Sequence, residues 1–145
     1  MDYQDALPYR QKLDDEIRSA TARLLAEDIG DGDITARLIP ADAKARARVI
    51  TRENCVLCGV AWVEALFARL DSSVALRWSA ADGDRLEAGQ AFLELEGSAR
   101  SLLTGERAAL NLLQTLSATA TRTRHCVDLI AGTGVRLLDT RKTLP

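Results

Sequence analysis

The sequence predicts an α+β fold, in which an N-terminal α/β sandwich is followed by the first helix and strand of a second unit. Apolar residues recur at helical spacing near the N-terminus, alternate at strand spacing in the middle, and return to helical spacing after Gly97. The 145 residues are 47% apolar and 28% charged, as in an ordinary globular protein. A chain of this length buries enough surface to form a core without disulfides.

The first helix is predicted over residues 11–27, where five apolar residues form one stripe: Leu13, Ile17, Ala20, Leu24 and Leu25. It ends at Asp28, because the stretch DIGDGDIT that follows is rich in Gly and Asp, which tolerate tight turns. Asp28, Asp31 and Asp33 resemble a calcium loop by composition only, since Ile39 stands where a glutamate closes an EF-hand. A solvated capping turn is the expected structure.

Three strands are predicted in the middle of the chain. Residues 44–51 alternate apolar with basic side chains, and segments 74–78 and 91–95 alternate in the same way on either side of a turn at Asp82 and Gly83. Between the first and second strands lies a short predicted helix whose apolar face carries Val63, Leu66, Phe67 and Leu70.

The C-terminal part is predicted to be helical over residues 99–130, as one helix or two in succession, ended by Gly132 and Gly134. The apolar run VRLLD, residues 135–139, then predicts a short buried strand of the kind found in parallel sheets. Such a strand needs neighbours, and a barrel of strands and helices takes roughly 200 residues or more. We therefore expect the chain to be a fragment of a longer protein.

Charge and composition argue against several function classes. The net charge is −2, and two each of Trp, Tyr and Phe are too few for a stacking platform, so no nucleic-acid partner is expected. No apolar run approaches the roughly 20 residues of a membrane span, and the N-terminus lacks signal-peptide features, so no membrane partner is expected either. Three cysteines suit a reducing compartment, and we expect a cytoplasmic protein.

Two short motifs suggest ligands but have simpler interpretations. Cys55 and Cys58 have the spacing of a zinc or redox pair, but the only other soft ligands, His125 and Cys126, are adjacent on a predicted helix and point about 100° apart. We predict no metal site and a structural role for two buried thiols. The stretch ADGDRLEAGQ, residues 81–90, resembles biotinyl and lipoyl carrier domains but holds no lysine, so the likeness is expected to be architectural.

Basic residues stand out in two further motifs. GERAALN, residues 105–111, places Arg107 on a helix that otherwise consists of core residues, and DTRKTLP, residues 139–145, places Arg141 and Lys142 after a predicted strand. Ligand sites of α/β folds lie at the carboxyl ends of strands. Two adjacent cations flanked by Thr140 and Thr143 predict a site for a carboxylate or a phosphate, although a solvated basic turn is an open alternative.

Three stretches together carry a resemblance to a known family: AEDIGDGDIT at residues 26–35, LEGSARSLLTGERAALNLLQTLSATAT at 95–121, and LLDTRKTLP at 137–145. They resemble the decarboxylating quinolinate phosphoribosyltransferases, also called nicotinate-nucleotide pyrophosphorylases. One departure is Ala118, which stands where the family usually has glycine.

The resemblance implies a type II phosphoribosyltransferase of NAD biosynthesis, with an α/β sandwich over residues 1–115 and the start of an incomplete seven-stranded α/β barrel over 116–145. Quinolinate and phosphoribosyl pyrophosphate would react with Mg²⁺, whose ligands are expected beyond residue 145. The enzyme would be a homodimer or larger, with Arg107 reaching the second subunit's active site. Arg141, Lys142, Thr140 and Thr143 would bind substrate, and Lys142 is the candidate catalytic residue.

Besides a structural dimerisation domain that binds nothing, two other functions remain open at this stage. One is a ModD-type phosphoribosyltransferase, associated with molybdenum transport, which has the same architecture. The other is a non-enzymatic binding module built on the biotinyl-like or lipoyl-like strands. Because the later barrel strands are absent, we expect the 145-residue chain alone to be inactive.

Overall fold

The predicted mixture of helices and strands is confirmed in a computed structural model, which describes residues 7–30 and 32–138. The helices are α1 Leu7–Ile29, α2 Val60–Leu70 and α3 Ala99–Leu129, with a 3₁₀ helix at Ala36–Leu38. The strands are β1 Lys44–Ile50, β2 Cys55–Val56, β3 Ala75–Trp78, β4 Arg85–Leu86 and β5 Ala91–Ser98. The two-residue strands β2 and β4 were not predicted, because two residues are too few to show an alternating pattern.

The main sheet has three antiparallel strands in the order β1-β5-β3, and β2 pairs with β4 separately. The predicted alternation is confirmed by the register, in which Val49 lies opposite Leu93 and Arg48 opposite Glu94. One face of the sheet is therefore apolar and packs into the core, whereas the other carries arginines and glutamates. On that charged face, Glu96 pairs with Arg46 at 3.1 Å and with Arg77 at 3.6 Å.

The helices pack on the apolar face of the sheet. The most deeply buried large side chains are Phe67, Leu57, Leu66, Leu93 and Val63. Gly105 lets α3 approach α2 closely, because a Cβ atom at this position would lie 2.7 Å from two ring carbons of Phe67. The glycine of the GERAALN motif is thus explained by packing.

The α1 stripe is confirmed in part. Ile17 and Leu25 are buried, but Leu13 is half exposed. The buried residue that the pattern missed is Thr21, whose Oγ1 donates to the Ile17 carbonyl at 2.7 Å. This hydrogen bond within the helix satisfies the hydroxyl, so a polar residue can occupy the core-facing stripe.

Of the two C-terminal predictions, the helix is confirmed and the strand is wrong. Residues 99–129 form one continuous helix, which runs through the predicted domain boundary at 115/116, so that division stays a prediction. Residues 135–138 are not a strand, and Val135 and Leu138 are exposed. A strand buried in a parallel sheet depends on neighbouring strands, and no strand of the described residues pairs with this segment. Asp139 lies outside the described residues.

Among residues 7–30 and 32–138, no helix combines the length and the apolar character needed to cross a membrane.

Candidate functional site

One face of α3 presents polar side chains on successive turns. Arg100, Thr104 and Arg107 follow one another at i, i+4 and i+7, which places them in a row along the helix. All three contact residues 28–39, which run from the end of α1 to just beyond the 3₁₀ helix. We call residues 28–39 the acidic segment.

The two shortest hydrogen bonds between the acidic segment and α3 come from Arg100 and Thr104. The Arg100 Nε donates to the carbonyl of Ile39 at 2.7 Å, and the Thr104 Oγ1 donates to the Oδ2 of Asp33 at 2.7 Å. The other carboxylate oxygen of Asp33 accepts the backbone N–H of Ala36 at 2.9 Å, at the start of the 3₁₀ helix. The predicted capping role is confirmed for Asp33, whereas Asp31 lies outside the described residues.

These contacts hold Asp33 in its ionised form. The Ala36 N–H and the Thr104 hydroxyl lower the pKa of Asp33 below its ordinary value, with a further contribution from the positive charge of Arg107. At neutral pH Asp33 is therefore ionised and accepts both of these hydrogen bonds. The attachment also places the negative charge of Asp33 close to the guanidinium of Arg107.

Arg107 projects from this site into solvent. Its Nη1 lies 3.4 Å from the Oδ1 of Asp28, yet the arginine side chain is 78% exposed while that of Asp28 is only 18% exposed. A guanidinium has five N–H donors in a planar fork, so one contact at Nη1 leaves most of them available. The arrangement can bind an anionic group presented from outside the chain.

The second basic motif cannot be placed relative to Arg107. Thr140, Arg141, Lys142 and Thr143 all lie outside the described residues, so their convergence with Arg107 stays a prediction.

The CVLC segment, residues 55–58, is attached to α3 by hydroxyl groups. Ser117 Oγ accepts the Cys58 N–H at 3.0 Å and donates to the Cys58 carbonyl at 3.1 Å. One turn later, Thr121 Oγ1 accepts the Val56 N–H at 2.9 Å and donates to the Ser117 carbonyl at 2.6 Å. The SATAT sequence thus has a structural role, and Ala118, which departs from the family's usual glycine, is exposed.

The three cysteines are free thiols. Cys55, Cys58 and Cys126 are each only partly buried. The prediction that Cys55 and Cys58 are buried was therefore wrong, because Val56 and Leu57 between them occupy the buried positions. Burial and then the charge of Asp82 raise the pKa of Cys58, which keeps its thiol protonated. Among the described residues, no three His, Cys, Asp or Glu side chains form a group that could hold a metal ion.

The biotinyl-like turn has an architectural role in this structure. The Asp82 Oδ1 accepts the backbone N–H groups of Gly59 and Val60, at 2.8 and 3.1 Å. These donors lie at the start of α2, where helix N–H groups lack partners within the helix. The turn therefore caps a helix.

Asp28, Thr104 and Arg100 are the site residues that the sequence reasoning missed. Asp28 and Asp33 were noted only as parts of a capping turn, because nothing in the local pattern pairs them with residues about 70 positions away. A usable signal was present, since Arg100 and Thr104 fall on the same helix face as Arg107.

Comparison with known proteins identifies the family. Residues 33–117 match the family described as quinolinate phosphoribosyl transferase, N-terminal domain. The chain is 36% identical over 132 residues to quinolinate phosphoribosyltransferase (decarboxylating) 1b of Nicotiana tabacum, covering 90% of this chain and 37% of the relative.

Solved structures agree with this assignment. The nicotinate-nucleotide pyrophosphorylase of Francisella tularensis is 42% identical with a TM-score of 0.88, over 91% of this chain and 48% of the other. NadC of Streptococcus pyogenes is 34% identical with a TM-score of 0.85, over 90% and 47% respectively. The chain thus spans less than half the length of these relatives. Because the family match covers more than half of its residues, the chain belongs to the quinolinate phosphoribosyltransferase N-terminal domain family.

Proposed function

We propose that this chain provides the N-terminal part of a decarboxylating quinolinate phosphoribosyltransferase. Such an enzyme joins quinolinate to phosphoribosyl pyrophosphate and yields nicotinate mononucleotide, pyrophosphate and CO₂. Membership of the family and the names of the relatives support the reaction. The single structural observation that carries the proposal is the exposed guanidinium of Arg107, anchored on one side and open on the other.

The chemistry of the substrate fits these residues. Quinolinate is a dianion, and carboxylates removed from water need compensating positive charge. Arg107, Arg141 and Lys142 supply that charge in the proposal, with Thr140 and Thr143 as hydroxyl donors and Lys142 as the catalytic candidate. Once the ring nitrogen is ribosylated it is cationic, so it stabilises the electron pair left on the adjacent ring carbon when CO₂ departs, and that carbon then takes up a proton. The protein's task is to position the substrate and to neutralise its charge.

The proposal includes a site shared between two subunits. Arg107 points into solvent, so it is free to enter the pocket of a second copy, where the DTRKT residues would lie. In this arrangement residues 116–145 begin an incomplete seven-stranded barrel, and α3 is the rigid connection between the two parts. The 145-residue chain alone is then expected to have no turnover, because it spans less than half the length of its relatives.

Mg²⁺ belongs to the proposed reaction as a partner of phosphoribosyl pyrophosphate. The described residues do not fit the ion, since they contain no cluster of carboxylate, imidazole and thiol groups able to hold it. We propose that its ligands lie beyond residue 145.

The test uses an enzyme of full family length that carries this chain as its N-terminal part, which we call the full-length enzyme. Arg107→Ala and Lys142→Ala are each expected to lower kcat/KM for quinolinate at least about tenfold, because each removes one charged contact. Arg122→Ala, an exposed arginine further along α3, is the control and should change little. Unchanged kcat/KM in both site variants would refute the assignment.

A further inference from the structure

Asp28 and Arg107 form an ion pair whose two side chains differ strongly in exposure. The carboxylate is four-fifths buried while the guanidinium is mostly exposed. In the pair between Glu16 and Arg23 on α1, by contrast, both side chains are exposed, at 57% and 68%. The difference indicates that the Asp28 side chain is packed within the fold, whereas the Arg107 side chain lies on the surface.

Asp28 is held firmly in its place. It lies in the last turn of α1, and Leu25, one turn earlier, is buried in the core. The segment that follows it is fastened to α3 through Thr104 and Arg100, at residues one and two turns before Arg107. The last turn of α1, which carries Asp28, is therefore held beside the part of α3 that carries Arg107.

We propose that Asp28 is a positioning residue for Arg107, which holds Nη1 of the guanidinium and leaves the remaining donors directed at an incoming carboxylate. This inference rests on the proposed function, because it assumes that Arg107 binds quinolinate. A free arginine samples many rotamers and loses that freedom when it binds an anion. Anchoring one nitrogen in advance reduces that loss, so substrate binding is strengthened while the chemical step is unaffected.

The experiment measures KM and kcat for quinolinate in the full-length enzyme. Asp28→Asn keeps the shape but removes the charge, and KM is expected to rise about fivefold, the size of one ion pair, with kcat nearly unchanged. Glu16→Gln, which removes the charge of the exposed pair on the same helix, is the matched control and should leave both constants unchanged.

A double-mutant cycle separates positioning from a general effect on the fold. Asp28→Asn is also made in the Arg107→Ala background, where no guanidinium is left to position, and it is expected to have no further effect on KM. If Asp28→Asn does not fold, the same cycle is made with Asp28→Glu, which keeps the charge but moves it by one methylene. The same dependence on Arg107 is expected.

Two results would overturn the inference: an unchanged KM in Asp28→Asn, or an equal loss with and without Arg107. Neither result would refute the proposed function, provided that Arg107→Ala itself lowers kcat/KM. If Arg107→Ala has no effect, the proposed site fails and the positioning role fails with it.

Discussion

Two segments are attached to the same helix, α3, by different chemistry. The acidic segment, residues 28–39, is attached near residues 100–107 through carboxylates and arginines, whereas the CVLC segment is attached near residues 117–121 through two neutral hydroxyls. At the second attachment each hydroxyl both donates and accepts, so its single O–H donor is already used. At the first, Arg107 keeps free donors. We therefore propose the charged attachment, and not the hydroxyl attachment, as the place where this helix binds a ligand.

The largest effect on stability is expected at the hydroxyl attachment. Ser117→Ala leaves the N–H and the carbonyl of Cys58 without their partner, which costs about 1–3 kcal/mol in the free energy of unfolding. Denaturant unfolding of the chain measures this. Thr119→Ala is the control, because its hydroxyl is exposed and bonds only to the Thr115 carbonyl of its own helix. Equal stability of the Ser117 and Thr119 variants would show that the hydroxyl attachment contributes little.

A smaller, pH-dependent effect is expected at the charged attachment. The pKa of Asp33 is lowered in the folded chain, so its contribution to stability is fully present above the unfolded-state value of about 3.9. It is lost as the pH falls through the lower folded-state pKa. Thr104→Val removes one of the hydrogen bonds that lower this pKa, so the pKa of Asp33 should rise toward its ordinary value.

NMR titration of the carboxyl groups measures this rise in the pKa of Asp33. The matched control is Ser117→Ala, which removes a hydroxyl from the attachment of the CVLC segment. Ser117→Ala should leave the pKa of Asp33 where it is, since no titratable group takes part in its hydrogen bonds. An identical Asp33 pKa in wild type and Thr104→Val would mean that the hydroxyl does not stabilise the carboxylate.

The parts of the fold that could be predicted from the sequence are those with a periodic pattern of apolar residues. The strands around Val49 and Leu93 and the helix face of Leu66 and Phe67 were found because a periodic pattern records which side of an element is buried. The buried Thr21 was missed because its hydroxyl is satisfied within its own helix, which hydropathy does not show. The segment 135–138 was assigned wrongly, because an apolar run alone does not supply neighbouring strands.

Only part of the candidate site could be predicted from the sequence. Arg107 was found through its motif, but Asp28 and Thr104 take their roles from contacts between distant parts of the chain. Such contacts depend on how α1 and α3 pack together, and single-sequence periodicity carries no information about pairs of elements.

We propose that Arg107 serves a site on a second subunit, and this claim can be tested with two variants. It is tested most directly by mixing full-length Arg107→Ala enzyme with full-length Lys142→Ala enzyme under conditions that allow subunits to exchange. A mixed dimer then contains one site with both residues intact, so an equal mixture should recover about a quarter of wild-type activity. Activity that stays at the average of the two impaired parent enzymes would contradict the claim, because it would place Arg107 and Lys142 in the same subunit's site.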